Sequence, residues 1–255
     1  NFQSLIATKV SRMHLVAGDR PVIDFGLRRA QGLAGLWASR AAVIGGAQAT
    51  SNVQSGQWYD IPVSGTQAHS WIQSFDTELE SFRAFARAFP EQCILLVDTY
   101  DTLASGVPNA IQVAEEMRER GKELKGIRLD SGDLAYLSKQ SRKQLDEAGF
   151  EDVAIVASNQ LDEHVIKSLI QEQNAPIDFF GVGTKLITGA PDGALDGVYK
   201  LAWYDETPRL KISENREKIT LPGRKNIKRL INGKGEFYGD VVYLEEEGVD
   251  PTMYH

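Results

Sequence analysis

A chain of 255 residues that is 42% hydrophobic, 25% charged and 9% aromatic has an ordinary globular composition, which excludes a disordered tail, a collagen-like repeat and a disulfide-stapled scaffold. With 28 basic against 35 acidic residues the net charge is -7, so the concentrated basic face of a nucleic-acid binder is not expected. The single cysteine, Cys93, excludes an intrachain disulfide and suits a reducing cytosol; with no apolar stretch near the ~18 residues of a membrane span and no signal-peptide pattern, the expectation is a cytoplasmic protein without membrane partners.

The chain opens at Asn1 inside an apparently regular segment and stops at His255 after an acidic run, so a piece of a longer polypeptide is expected. Residues 22–25, 42–44 and 61–63 are apolar runs of strand character. From 66 to 89 one long helix is predicted, because Trp71, Phe75, Leu79, Phe82, Phe85 and Phe89 recur at steps of three and four. Between 92 and 184 short β-branched runs (94–98, 126–130, 153–157, 177–183) alternate with amphipathic stretches (109–120, 134–148, 162–171), the first two ending at Gly121 and Gly149, where helix caps fall. Such βα units make parallel sheets with right-handed crossovers, either a barrel or a doubly wound sheet. Seven or more strands favour closure. After Gly197 the runs 198–204, 210–213, 228–231 and 237–244 read as antiparallel β, with Asn232-Gly233 as a hairpin turn. The predicted organisation is therefore an α/β barrel over residues 1–205 and an antiparallel β segment of a second, incomplete domain over 206–255.

In a parallel barrel, chemistry belongs at the C-terminal ends of the strands. This chain puts there Asp98 and Asp101, Arg128, Asp130 and Asp133, Ser158 and Asn159, and Gly181, Gly183 and Thr184. Asp101, Ser131 and Asp133 read as well as helix caps as they do functionally. Arg128 and Asp130 alternate with Ile127 and Leu129, which aims them into the barrel mouth, as a functional pair or a structural ion pair. Asp24-Phe25-Gly26-Leu27-Arg28-Arg29 sets a carboxylate, an aromatic ring and two guanidiniums around a turn; arginine suits bidentate anion recognition, although for Arg29 a solvated helix face is the better reading. The Gly181-Val182-Gly183-Thr184 loop suits a phosphate but is a weak signal alone. His69, after Gly65-Thr66 at the start of the predicted helix, is structural or chemical. The basic run 224–229 reads as a solvated hairpin edge. No His or Cys pair has zinc-ligand spacing, and there is no Gly-x-Ser-x-Gly elbow.

Five separated motifs then agree in order: Asp24-Phe25-Gly26-Leu27-Arg28-Arg29-Ala30-Gln31-Gly32, Gly65-Thr66-Gln67-Ala68-His69-Ser70, Val97-Asp98-Thr99-Tyr100-Asp101-Thr102, Arg128-Leu129-Asp130-Ser131-Gly132-Asp133 and Phe180-Gly181-Val182-Gly183-Thr184. Over residues 1–244 the chain resembles the nicotinate phosphoribosyltransferase family. The resemblance implies an irregular α/β barrel of the type II phosphoribosyltransferase kind with part of a smaller β-rich domain, and a homodimer whose subunits share an active site. It implies transfer of 5-phosphoribosyl from phosphoribosyl pyrophosphate to nicotinate, giving nicotinate mononucleotide and pyrophosphate for NAD salvage, coupled to ATP hydrolysis through a phosphohistidine at His69. By the same resemblance Phe25 stacks on the pyridine, Thr66 lies in the substrate site, and Arg28 and Arg128 surround the base and phosphates. Asp98, Asp101 and Asp130 serve the ribose, the pyrophosphate and Mg2+, with Asp101 and Asp130 as metal ligands and catalytic residues beside His69. Ser158, Asn159, Gly181, Gly183 and Thr184 hold the 5-phosphate.

The amide-specific relatives, the nicotinamide phosphoribosyltransferases, carry an aspartate in the segment that aligns with 43–57, whereas this chain has no acidic residue there and reads Gly46-Ala47-Gln48-Ala49-Thr50-Ser51-Asn52. A carboxylate substrate is repelled by such a group, so nicotinate is favoured over nicotinamide. Quinolinate, with a second carboxylate, calls for a larger basic cluster than this rim supplies. A non-catalytic barrel that binds phosphorylated ligands is the remaining alternative.

Overall fold

Five of the predicted apolar runs, 22–25, 94–98, 126–130, 153–157 and 177–183, become strands within two residues of the expected bounds, because runs of this kind are buried on both faces of a parallel sheet. The structure is a computed structural model and describes residues 1–195, 197, 199–210, 212, 219 and 221–250. It divides into two units, Asn1–Leu195 and Asp196–His255. In the first, α1 (Phe2–Ala17) leads to β1 (Val22–Asp24), α2 (Leu33–Ile44), β2 (Ala49–Thr50), α3 (Val53–Tyr59), α4 (His69–Ile72) and α5 (Glu78–Ala88). Then come β3 (Ile94–Leu96), α6 (Val107–Glu119), β4 (Gly126–Leu129), α7 (Leu134–Glu147), β5 (Ala154–Ser158), α8 (Glu163–Lys167), β6 (Phe179–Val182) and α9 (Thr184–Ile187).

The strand order β2-β1-β6-β5-β4-β3, all parallel, decides between the two sheet types left open. It is chain order run cyclically, with β6 closing on β1, whereas a doubly wound sheet reverses direction at its centre. The sheet curls into a half-barrel with one seam, between β2 and β3. Residues 61–67 span it: the Thr50 N-H donates to the Pro62 carbonyl and the Ser64 N-H to the Thr50 carbonyl, both at 3.0 Å, while Gln67 Oε1 accepts the Leu96 N-H at 3.0 Å. The fold is thus an irregular α/β barrel.

Three expectations are corrected. Residues 42–44 are the last turn of α2 rather than a strand, since Leu36, Ala38, Ser39, Ala41 and Ala42 form that helix's buried face. The segment 61–63 contributes a single bridge, Val63 to Thr50, so the sheet has six strands among the described residues, not seven. The long helix 66–89 is two helices. The first stops at Ile72, and Thr77 caps α5, its hydroxyl accepting the Glu80 N-H at 3.2 Å and donating to Glu80 Oε2 at 3.1 Å, a Thr-x-x-Glu start signal that the aromatic spacing masks. Of the aromatic stripe, Phe82 and Phe85 are core, while Phe89 is exposed.

Helices α6 and α7 follow expectation. Helix α6 buries Val107, Ala110, Val113, Ala114 and Met117 on one face, and Gly121 and Gly149 take the positive φ angles, 69° and 74°, that a terminating residue needs. The core is lined by Leu95, Ile127, Leu129, Ile155 and Phe180, all without solvent exposure. Cys93 belongs to it, and burial pushes its thiol pKa up to about 12. A thiol-reactive disulfide reagent at neutral pH should therefore leave the native chain unlabelled and titrate one thiol only after denaturation; labelling at equal rates in both states would show that this core opens.

In the second unit, β7 (Trp203–Tyr204) pairs with β8 (Thr207–Pro208), and β9 (Lys225–Ile231) with β10 (Phe237–Leu244), both antiparallel. The expected hairpin lies one step from where Asn-Gly suggested. Asn232 and Glu236 close the loop, and its positive-φ glycine is Gly235 (81°) rather than Gly233. The basic run 224–229 enters β9, where Arg229 pairs with Asp240 across the hairpin at 2.9 Å. Val198 and two of the four residues of the predicted strand 210–213, Lys211 and Ser213, lie outside the described residues. Among the described residues no helix is long and apolar enough to cross a membrane.

Candidate active site

The C-terminal ends of β1, β4, β5 and β6 converge on a cavity of about 610 Å³. Its wall carries Phe25, Arg28, Arg29, Thr66, His69, Arg128, Asp130, Ser158, Asn159, Gly181, Gly183 and Thr184. Eleven of the thirteen predicted residues stand on this wall, and Asp98 lies directly behind it, accepting the Asp130 N-H. Three guanidiniums face one carboxylate on this wall, a local excess of positive charge in a chain that is acidic as a whole.

Arg128 is the post of the site. Its alternation in β4 aims it inward as expected, and its guanidinium donates to Ser158 Oγ (2.8 Å), Thr66 Oγ1 (2.7 Å), the Gln67 carbonyl (3.4 Å) and Asp130 Oδ1 (2.9 Å). The structural ion pair considered for Arg128 and Asp130 therefore exists, and it stands in the wall of the cavity. Ser158 also donates to Asp130 Oδ1. Burial works to raise the Asp130 pKa, but the Arg128 charge, the hydrogen bonds from Ser158 and Arg128 and the nearby His69 outweigh it, so Asp130 is held below the usual carboxylate range.

Asp98, at the end of β3, has a side chain only 1% exposed. Its Oδ2 accepts the Asp130 N-H at 2.9 Å and the Ser131 hydroxyl at 2.5 Å, which ties the ends of β3 and β4 together. Its Oδ1 is buried without a hydrogen-bond partner and lies 3.9 Å from His69 Nε2. The same nitrogen is 3.5 Å from Asp130 Oδ2, and Nδ1 is 3.0 Å from Thr99 Oγ1. Because carboxylates only accept, the partners assign the neutral ring's proton to Nε2 and leave Nδ1 to accept from Thr99. His69 heads a helix of four residues, so the dipole expected of a long helix there is small; its setting is made by Asp98, Asp130 and Thr99.

The turn after β1 is anchored from beneath. Asp24 is fully buried; Oδ1 accepts the Gly26 N-H at 2.8 Å, and Oδ2 accepts the hydroxyls of Ser39 (2.7 Å) and Thr50 (2.8 Å). That holds Phe25 half-buried at the wall, with the Arg128 guanidinium carbon 5.2 Å from its ring centroid. Arg29 stands at the wall beside Arg28 and is exposed, in keeping with the solvated-face reading.

Asp101 is not brought to the cavity. Its Oδ1 accepts the N-H groups of Leu103 (3.1 Å) and Ala104 (2.8 Å), the capping alternative, and Asp133 likewise caps α7 through Tyr136. Ser51, Gln67 and Ser70 line the cavity without having been singled out. Gln67 and Ser70 stand in the His69 motif, and Ser51 in the segment 43–57. Among the described residues no group of three or more His, Cys, Asp or Glu converges as a metal site.

The nicotinate phosphoribosyltransferase family model matches residues 21–221. The chain is 51% identical to nicotinate phosphoribosyltransferase of Bacillus subtilis (strain 168), over 100% of this chain and 54% of that protein. To the human nicotinate phosphoribosyltransferase it is 34% identical, over 98% of this chain and 56% of that one. The crystal structure of human nicotinic acid phosphoribosyltransferase superposes with a TM-score of 0.82 at 32% identity, covering 98% of this chain and 57% of that chain. The chain thus spans about half the length of the curated relatives it matches. With the five motifs gathered at one barrel mouth and the match running across most of the sequence, the chain belongs to the nicotinate phosphoribosyltransferase family.

Proposed function

We propose that the protein carrying this chain transfers the 5-phosphoribosyl group from phosphoribosyl pyrophosphate to the ring nitrogen of nicotinate, releasing pyrophosphate, with ATP hydrolysis coupled through His69. The observation that carries the reading is the composition of the cavity wall: one aromatic face, three guanidiniums and a histidine set against the Asp130 carboxylate, with Asp98 buried directly behind it. Nicotinate needs a flat apolar contact and a cation for its carboxylate, which Phe25 and the Arg28-Arg29 turn supply. Segment 43–57 reaches the wall at Ser51 and brings no carboxylate there, which supports the acid over the amide. Ser158, Asn159, Gly183 and Thr184 suit the 5-phosphate.

Breaking the bond from ribose C1 to pyrophosphate leaves oxocarbenium character on the sugar. Asp98 and Asp130 stabilise that positive charge, while Arg128 orients Asp130 and faces the phosphates. The donor set fits Mg2+, because the unpaired Asp98 Oδ1 and Asp130 are hard oxygen ligands and this ion takes its remaining ligands from water and phosphate. When bound, Mg2+ neutralises the leaving pyrophosphate. A ring nitrogen of His69 accepts the terminal phosphoryl of ATP as ADP leaves, and water later takes it as inorganic phosphate. The shared-site homodimer belongs to the same proposal.

The test is an assay of the full-length protein with nicotinate, phosphoribosyl pyrophosphate, Mg2+ and ATP, following the mononucleotide by chromatography. Product from nicotinate and not from nicotinamide is expected, with ATP stimulation abolished in His69→Ala while ATP-independent transfer persists. Product from nicotinamide overturns the substrate assignment, and no product from either base leaves a non-catalytic barrel.

A further inference from the structure

Gly181 lies inside β6, paired on one side with Ile23 of β1 and on the other with Ser158 of β5. A backbone N-H in a strand flanked on both sides is committed to the sheet, which leaves Gly181 a poor phosphate donor. Nor does its backbone require glycine, since its φ is not among the positive values of the chain. What excludes a side chain is the Phe25 ring. A Cβ on Gly181 would lie 2.4 and 2.5 Å from two of the ring carbons, far inside the ~3.5–4.0 Å of carbon contact. A Cβ on Gly183, by contrast, would meet no ring atom among its nearest neighbours, only backbone: the Phe25 carbonyl oxygen at 3.1 Å and carbon at 3.5 Å and the Gly26 Cα at 4.0 Å. The ring therefore rests against the bare Cα of Gly181, with the pinned guanidinium of Arg128 as a further neighbour.

We propose that Gly181 is a positioning residue for the planar acceptor base: by carrying no side chain it lets the Phe25 ring sink against β6 and so sets the depth of the aromatic slot. This rests on Phe25 being the stacking face for nicotinate. It adds that Gly181 acts on the base through the ring, not on the 5-phosphate through its amide. In Gly181→Ala the ring, being movable, tips outward into the slot while the strand stays in place.

The experiment compares wild type, Gly181→Ala, Phe25→Leu and the double variant in the full-length protein. Gly181→Ala is expected to raise KM for nicotinate by about 5- to 10-fold and to change KM for phosphoribosyl pyrophosphate by less than about twofold. Added to Phe25→Leu, it should have almost no further effect, because the ring it displaces is gone. A rise confined to KM for phosphoribosyl pyrophosphate, or full additivity of the two substitutions, overturns the proposal. A wild-type protein that does not use nicotinate sinks the functional reading alone; the seating is then decided by NMR of ring-labelled phenylalanine, with the Phe25 resonance assigned by its loss in Phe25→Leu. A shifted Phe25 signal in Gly181→Ala supports the seating and an unshifted one overturns it. If Gly181→Ala alone does not fold, the double variant is expected to fold, and failure of both overturns the proposal.

Discussion

Replacing Arg128 with methionine should lower unfolding free energy by about 3 kcal/mol and slow mononucleotide formation by roughly 10²- to 10³-fold. The two losses have different origins. Stability falls because Asp130, with a side chain 19% exposed, keeps its charge and loses its cation, while Thr66 and the Gln67 carbonyl lose the donor that ties the seam segment to β4. Activity falls because Asp130 and Ser158 are no longer fixed in relation to each other. Arg128→Lys separates the effects: a lysine restores the charge beside Asp130 but not the fork that reaches Ser158, Thr66 and Asp130 together. Stability should recover substantially and turnover should not.

The stability difference carries a pH signature. Asp130 has a lowered pKa in the folded chain, so the stabilisation it brings is fully present above the ordinary aspartate range near ~4 and is lost as pH falls through the lower folded value. Urea midpoints of wild type and Arg128→Met should therefore lie far apart at neutral pH and converge below ~pH 4. A constant gap across that range would mean that Arg128 stabilises by packing, not by its pairing with Asp130.

Much of this site was legible because β4, β5 and β6 are buried on both faces. Their sequences are largely apolar, so the polar residues at or just after their ends, Asp130, Ser158 and Thr184, mark the barrel mouth. The alternation of Arg128 with Ile127 and Leu129 gave its direction for the same reason. The resemblance supplied the role of His69; its spacing did not, because the one-turn helix it heads ends at Ile72 and a separate helix starts at Thr77. Residues 42–44 were misread because an apolar triplet at the end of a helix and a short strand are alike in composition, and only the buried face spread over Leu36 to Ala42 distinguishes them. Gly181 looked like a phosphate loop because glycine has several physical uses, and the ring that requires it lies on another strand. Asp101 was equally readable as a cap, and only the bonds to Leu103 and Ala104 choose.

Asp24 belongs to the turn motif, yet its hydroxyl partners lie 15 and 26 residues along the chain, a distance at which sequence pattern has no signal. Its carboxyl accepts from three donors, and among the described residues no cation lies within ion-pair distance of it. Asp24→Ala leaves the Gly26 N-H and the Ser39 and Thr50 hydroxyls without their acceptor; hydroxyls can turn to other partners but the amide cannot, so the loss should be about 2–4 kcal/mol. Asparagine keeps the shape. Its amide oxygen can still take the Gly26 N-H, and its NH2 can donate to the hydroxyls of Ser39 and Thr50, which accept as readily as they donate; removing a buried charge also relieves desolvation. Asp24→Asn should therefore cost less than about half of Asp24→Ala, and affinity for nicotinate should fall in the same order, since the Gly26 bond sets the turn that presents Phe25 and Arg28. Urea unfolding and nicotinate titration of the two variants check this. If alanine and asparagine destabilise equally, the negative charge of Asp24, and not its geometry as an acceptor, is what the turn depends on.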